Sequence, residues 1–252
     1  MVWLSGFIFF MIGASWGSFL NVVAIRRQSR TSFVSGRSRC VRCSSVIAWY
    51  DLIPLVSWVA LLGRCRSCHK RFSIQYLLVE FFCGVMFVLA AYSAHTVYGA
   101  LLHFAVISFF TVLFLHDFRS YIVPDAISLP AIVIVGFLNV LAHASLERML
   151  IGAAIGAAWF YVQFAVSRGR WVGGGDIRLG ALMGVLLGHP HIWLALLISY
   201  VGGSIIAGVL IFARKRTFKS RIPFGTILLP AAYVVWIWGD VLWQWYVSAV
   251  GF

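Results

Sequence analysis

The sequence predicts an all-α polytopic membrane protein, with about eight transmembrane helices and a small Cys-rich insert. Three observations carry that expectation. Of the 252 residues, 62% are hydrophobic and only 11% charged, and the mean hydropathy is +0.95; such a chain has too little polar surface to cover a water-soluble globule. The apolar residues gather into eight stretches rather than spreading evenly. The basic residues, in turn, crowd onto alternate connections between those stretches.

The first stretch, 2–25, has its positive charges behind it, the reverse of a secretory signal, and reads as a retained helix. Between 26 and 75 the composition turns to Arg, Ser and Cys, long enough for a subdomain but too short for a self-sufficient apolar core. Apolar stretches then follow at 77–92, 100–116, 127–141, 150–166, 177–188, 192–213 and 227–250. About 20 apolar residues cross a bilayer, so the shorter stretches borrow uncharged flanks. The expected organisation is a first helix in 1–25, an insert in 26–75 and a membrane core in 76–252.

Charge assigns the orientation. Ten basic residues fall in the insert (Arg30 and Arg37 among them), Arg119 follows the third stretch, and Arg168, Arg170 and Arg178 bracket the connection before the sixth. Arg214, Lys215, Arg216, Lys219 and Arg221 precede the last, so nineteen of the twenty share one face and Arg148 alone falls opposite. Basic residues stay cytoplasmic during insertion, so that face is expected in the cytoplasm and both termini outside. The net charge of +13 then reports topology and contact with anionic lipid headgroups, not nucleic-acid binding.

The insert needs a staple, and Cys40, Cys43, Cys65 and Cys68 form two pairs with 21 residues between them. This is the two-knuckle spacing of a structural zinc site, closed by four thiolates with no open position for catalysis. Disulfides are the competing reading, which a reducing cytoplasm disfavours. His69 reads as a bystander, and Cys83, inside the second apolar stretch, as a small buried residue.

Acids are scarce, seven in all, and two stand where an apolar run meets a basic connection. Asp117 ends the third stretch and Asp176 opens the sixth, which puts them at one face and one depth despite their separation in sequence. Asp176 closes Gly173-Gly174-Gly175-Asp176, where missing side-chain bulk lets an extended peptide approach a carboxylate; a flexible loop with an Asp helix cap is the plainer reading. Asp125 follows Pro124 and is placed to cap the next helix, a structural or substrate-orienting role. Two carboxylates held close share a proton, one serving as general base on a water and the other as acid, which is the chemistry of aspartic peptide hydrolysis.

These residues, with others along the chain, resemble the prepilin peptidases, or type IV leader peptidases, GxGD-type membrane aspartic proteases. The resemblance is carried by Gly17-Ser18-Phe19-Leu20-Asn21-Val22-Val23, the two cysteine pairs, Trp49-Tyr50-Asp51 before Ile53-Pro54, residues 76–80, the segment 117–125 and the glycine motif. It implies that Asp117 and Asp176 are the catalytic pair, with Asp125, Gly173, Gly174, Gly175 and Arg178 supporting them, and that 76–252 is the peptidase core. It implies prepilin or pseudopilin substrates, cut after a basic leader at the cytoplasmic face of a bacterial inner membrane for a type IV pilus or type II secretion apparatus. It also implies N-methylation of the new terminus with S-adenosylmethionine as donor. Val41, Leu52, His69 and Arg178 depart from the common pattern, the insert's changes touching methylation more than cleavage. No sequence signature of a nucleotide fold marks the methyl-transfer site, although Asp51 and Glu80 are acids near the insert.

Three rival readings make different demands. A leader peptidase without methyl transfer would cut and leave the amine bare. A transporter would favour acids nearer the midplane and inverted repeats, and no repeat is visible. A non-catalytic assembly factor would depend on the cysteines and not on the aspartates.

Overall fold

A computed structural model of the chain describes residues 2–28, 38–213 and 223–250. Arg30, Arg37 and the five basic residues from Arg214 to Arg221 lie outside the described residues. Helices dominate: α1 Val2–Gln28, α2 Val56–Ala60, α3 Ile74–Ser93, α4 Val97–Ser120, α5 Asp125–Leu141, α6 Leu146–Ser167, α7 Gly174–Leu187, α8 His191–Phe212 and α9 Gly225–Val250. Each of the eight expected apolar stretches is the body of one of these helices. The short α2, inside the insert, is an addition that apolar periodicity gave no sign of.

Six helices, α1, α3, α4, α6, α8 and α9, are long and apolar enough to cross a membrane. With 17 and 14 residues, α5 and α7 span about 26 and 21 Å at 1.5 Å per residue, short of a hydrocarbon core of about 30 Å. Polar side chains begin several of the helices. Ser73 accepts the Gln75 N–H and Thr96 the Gly99 N–H at the starts of α3 and α4, each satisfying a donor the helix leaves unpaired.

The chain forms two compact units, Met1–His95 and Thr96–Phe252. In the first, α1 and α3 run antiparallel. Asn21 accepts from the Gln75 amide, and a Cβ on Gly17 would lie 2.9 Å from the Val79 carbonyl, and one on Gly13 2.6 Å from that of Cys83. Glycine on α1 therefore lets the two backbones close up, as small residues do between membrane helices. Cys83 fills this seam at 1% exposure, the buried role expected of it. Beside the pair, the insert holds a 3-10 turn at Trp49–Leu52, α2 and two isolated bridges, Arg39 with Val46 and Arg64 with Arg71.

In the second unit the shortest helix, α7, is the most enclosed. Its neighbours are α5, α6, α8 and α9, and Leu179, Leu182 and Met183 of α7 have no exposure. The α6 seam is again glycine on glycine, with a Cβ on Gly152 falling 2.7 Å from the Gly184 carbonyl. At the far end of α7, the buried Asn139 amide of α5 donates to the carbonyls of Val185 and Leu186 at 2.9 and 3.1 Å, satisfying acceptors that a helix C-terminus leaves free. A short helix fixed at both ends is a rigid support for whatever its N-terminus carries.

Candidate active site and metal centre

Asp117 lies in the last turn of α4 and Asp176 in the first turn of α7, so the two acids are presented from the ends of different helices. Asp117 and α7 meet at Gly225, where a single Cβ would stand 2.8 Å from both Asp117 Oδ2 and the Cδ1 of Leu179, three residues along α7 from Asp176. Asp117 is buried, and its Oδ2 accepts the Thr226 N–H at 3.0 Å. That amide belongs to the first turn of α9, whose N-terminal donors and positive dipole end favour a carboxylate. Asp176 has the equivalent arrangement on its own helix, with Oδ2 accepting the Gly173 N–H at 2.9 Å. Each carboxylate thus meets the N-terminus of a different helix.

The glycines beside these acids have separate physical reasons. A Cβ on Gly225 would stand 2.8 Å from Asp117 Oδ2 and 2.8 Å from Leu179 Cδ1, so only glycine lets α9 begin against the carboxylate. A Cβ on Gly175 would stand 2.8 Å from the Val123 Cβ, whereas one on Gly174 would meet nothing within 4 Å. Gly175 therefore seats the 121–124 connection against α7, and Gly174 leaves the surface beside Asp176 open. The glycine motif is part of a helix start and not the flexible loop of the plainer reading.

Asp125 departs from its expected place as a cap. Pro124 is the N-cap of α5, and the Asp125 side chain, on the first helical residue, pairs instead with Arg178 Nη1 at 2.5 Å. Arg178 also donates from Nη2 to the Val123 carbonyl at 3.1 Å, so one guanidinium ties the α4 to α5 connection to the first turn of α7. Of the expected residues, Asp117, Asp176, Asp125, Gly173, Gly174, Gly175 and Arg178 all belong to this one end of the second unit. The reading of the sequence missed Gly225 and Thr226. The available signal was a Gly-Thr pair after Pro223-Phe224, at the head of the last apolar run.

The four cysteines converge in the first unit. Their sulfurs all lie within 4.8 Å of one another, with Cys40 to Cys68 at 3.9 Å and Cys43 to Cys65 at 4.0 Å. These separations exclude disulfides and approach the edge of about 3.8 Å of a tetrahedron with metal–sulfur bonds of about 2.3 Å. The two loops repeat each other at an offset of 25 residues. The Cys40 N–H donates to the Ser45 carbonyl and Ser44 to that of Cys40; Cys65 donates to Lys70 and His69 to Cys65. Ser44 and His69 follow the second cysteine of each pair with φ of +58° and +56°, the left-handed region glycine favours, and His69 is one of the positions that depart from the family's common pattern.

Backbone N–H groups of Cys68 and Ser67 hold the Cys65 thiol down at about 6. Cys68 goes the other way: the Lys70 N–H lowers it, but burial and hydrogen bonds with the other thiols push it up to about 11. A cluster that ionises one thiol easily and another with difficulty favours a divalent cation, which removes the repulsion between thiolates. The donor set and geometry fit a closed metal site.

Two family descriptions match the chain, "Bacterial Peptidase A24 N-terminal domain" over residues 11–94 and "Type IV leader peptidase family" over 104–208. Gly225 and Thr226 fall beyond the second match. Among curated proteins, a prepilin leader peptidase/N-methyltransferase of Aeromonas salmonicida strain A449 is 31% identical over 278 residues, covering 98% of this chain and 96% of that protein. One of Pseudomonas putida is 29% identical, covering 96% and 93%. A third, of Myxococcus xanthus, is 32% identical over 212 residues, covering 82% of this chain and 63% of the relative. No solved structure matches the chain.

Proposed function

The chain belongs to the type IV leader peptidase family, and from that membership we infer that it is a prepilin peptidase and N-methyltransferase of the bacterial inner membrane. The observation that carries the peptidase is the pair Asp117 and Asp176, presented from two helix ends at one end of the second unit beside the open surface at Gly174. One carboxylate takes a proton from water while the oxygen bonds to the scissile carbonyl carbon. The other, protonated, donates to the leaving nitrogen as the C–N bond breaks. Thr226 and Gly173 orient these two groups by the hydrogen bonds they donate, and the Arg178 to Asp125 pair holds the connection beside them.

The substrates on this reading are prepilins or pseudopilins of a pilus or type II secretion apparatus, cut after a basic leader. The charge distribution supports placing the dyad and the insert at the cytoplasmic face. Functionally, residues 26–75 act as an insert organised by metal and 76–252 contain the peptidase core. Zinc is the metal of choice for four thiolates in tetrahedral spacing. S-adenosylmethionine supplies the methyl group for the new amine.

The deciding measurement is the mass of the mature N-terminal peptide of a coexpressed prepilin. Wild-type protein is expected to give a cleaved, singly methylated peptide, and Asp117→Asn and Asp176→Asn each to leave the leader attached. Cleavage persisting in either variant sinks the dyad. A cleaved peptide without the methyl group reduces the function to a peptidase.

A further inference from the structure

The dyad occupies the second unit and explains only hydrolysis, while the first unit contains a separate cavity of about 700 Å³ bounded by α1, the insert and α3. That volume lies within the range of about 300–1,000 Å³ usual for small-molecule sites. Ser18, Phe19, Asp51, Trp58, Tyr76 and Glu80 are among the residues on its wall. Glu80 is 7% exposed, an expensive place for an acid on an apolar helix. Its carboxylate accepts the Leu55 N–H at 2.8 Å and the Ser18 hydroxyl, which leaves acceptor capacity on a group with about four lone-pair sites. Asp51 is already neutralised, since Arg66 grips both its oxygens at 2.6 and 2.9 Å.

Two further features mark the cavity as built. Leu55, which donates to Glu80, has φ +62° and ψ −52°, a backbone conformation that a leucine adopts only when its surroundings impose it, as at functional sites. The Trp58 Nε1–H is buried and has no hydrogen-bond partner, and a buried donor left unmet costs about 1–3 kcal/mol unless a ligand supplies the acceptor. A small molecule rich in acceptors, entering a cavity with an acid on one wall and aromatic rings on another, meets both needs.

We propose that this cavity is the methyl-transfer site: it holds S-adenosylmethionine, with the Trp58 indole N–H donating to an acceptor of the donor molecule, and Glu80 binds and deprotonates the incoming N-terminal amine. This rests on the methyltransferase reading above. The ammonium gives one proton to the Glu80 carboxylate, and its freed lone pair forms the N–C bond to the methyl carbon. The C–S bond breaks with its electrons going to sulfur, and S-adenosylhomocysteine leaves neutral at sulfur. The positive charge passes to the methylated amine, so atoms and charge balance.

The test uses the full chain in detergent or nanodiscs, with radiolabelled S-adenosylmethionine binding, zinc content and the mass of a processed prepilin as parallel readouts. Glu80→Gln keeps an acceptor for Leu55 and is expected to cleave normally and bind the donor within about twofold of wild type. Its methylation should fall by about 10²–10⁴, the usual contribution of a positioned proton acceptor. Trp58→Phe keeps the ring and is expected to weaken donor binding about fivefold, for one lost hydrogen bond, with zinc content unchanged. Methylation at the wild-type rate in Glu80→Gln, or unweakened donor binding in Trp58→Phe, overturns the proposal. A wild-type chain that cleaves but binds no donor overturns it and leaves the peptidase standing, whereas one that neither cleaves nor methylates overturns the underlying reading as well.

Discussion

Gly225 decides whether α9 can begin against Asp117. Adding a methyl group there puts carbon 2.8 Å from a carboxylate oxygen and from Leu179, neither of which can retreat into free space. Gly225→Ala is therefore expected to lower prepilin cleavage about 10²-fold, the scale of a misplacement near 1 Å at a reacting group, with the helical circular dichroism unchanged. Asp51 gives a prediction in pH. The Arg66 hydrogen bonds and charge hold its carboxyl below the ordinary carboxylate range. The pair's stabilisation is thus complete above the unfolded value of about 3.9 and is lost as pH falls through the lower folded value. Arg66 is exposed, so solvent screening keeps the effect small. The gap in melting temperature between wild type and Asp51→Asn should be constant near neutrality and close in acid.

Among the elements, α7 carries the most weight for its length. It is too short to span on its own, and glycine seams, the Asn139 amide and the Arg178 clamp fix it in place. Gly156→Leu, which drives a side chain into the Gly180 backbone, is expected to destabilise the protein by about 1–3 kcal/mol and to lower the thermal midpoint in detergent. Val133→Leu, on the 69% exposed outer face of α5, is expected to leave that midpoint unchanged. The two cysteine loops are the corresponding device in the insert, a repeated turn whose sulfurs meet only because the two copies face each other.

For the molecule as a whole, the carboxylate pair Asp117 and Asp176 and the four-cysteine cluster lie in different units. Purified protein is expected to contain about one zinc per chain by elemental analysis, and Cys65→Ser to lose it. Prepilin cleavage by that variant should fall much less than in Asp117→Asn, while methylation is lost with the wall of the cavity. Equal loss of cleavage in the two variants would overturn this division of labour.

Sequence by itself determined the class, the positions of the apolar runs, the four thiols and the two acids at helix ends, because each of these is written in local terms: runs of apolar residues, short cysteine spacings, and carboxylates where an apolar run meets a basic connection. Tertiary structure alone decided what touches those groups. Nothing in the order of residues says that Thr226, 109 positions from Asp117, donates to it, or that Arg178 draws Asp125 away from capping α5. The same holds for Ser18 and Leu55, which converge on Glu80 from distant parts of the first unit. Such partners are chosen by the packing of helix ends and glycine seams, which depends on three-dimensional shape and leaves only a scattered Gly or Thr in the sequence.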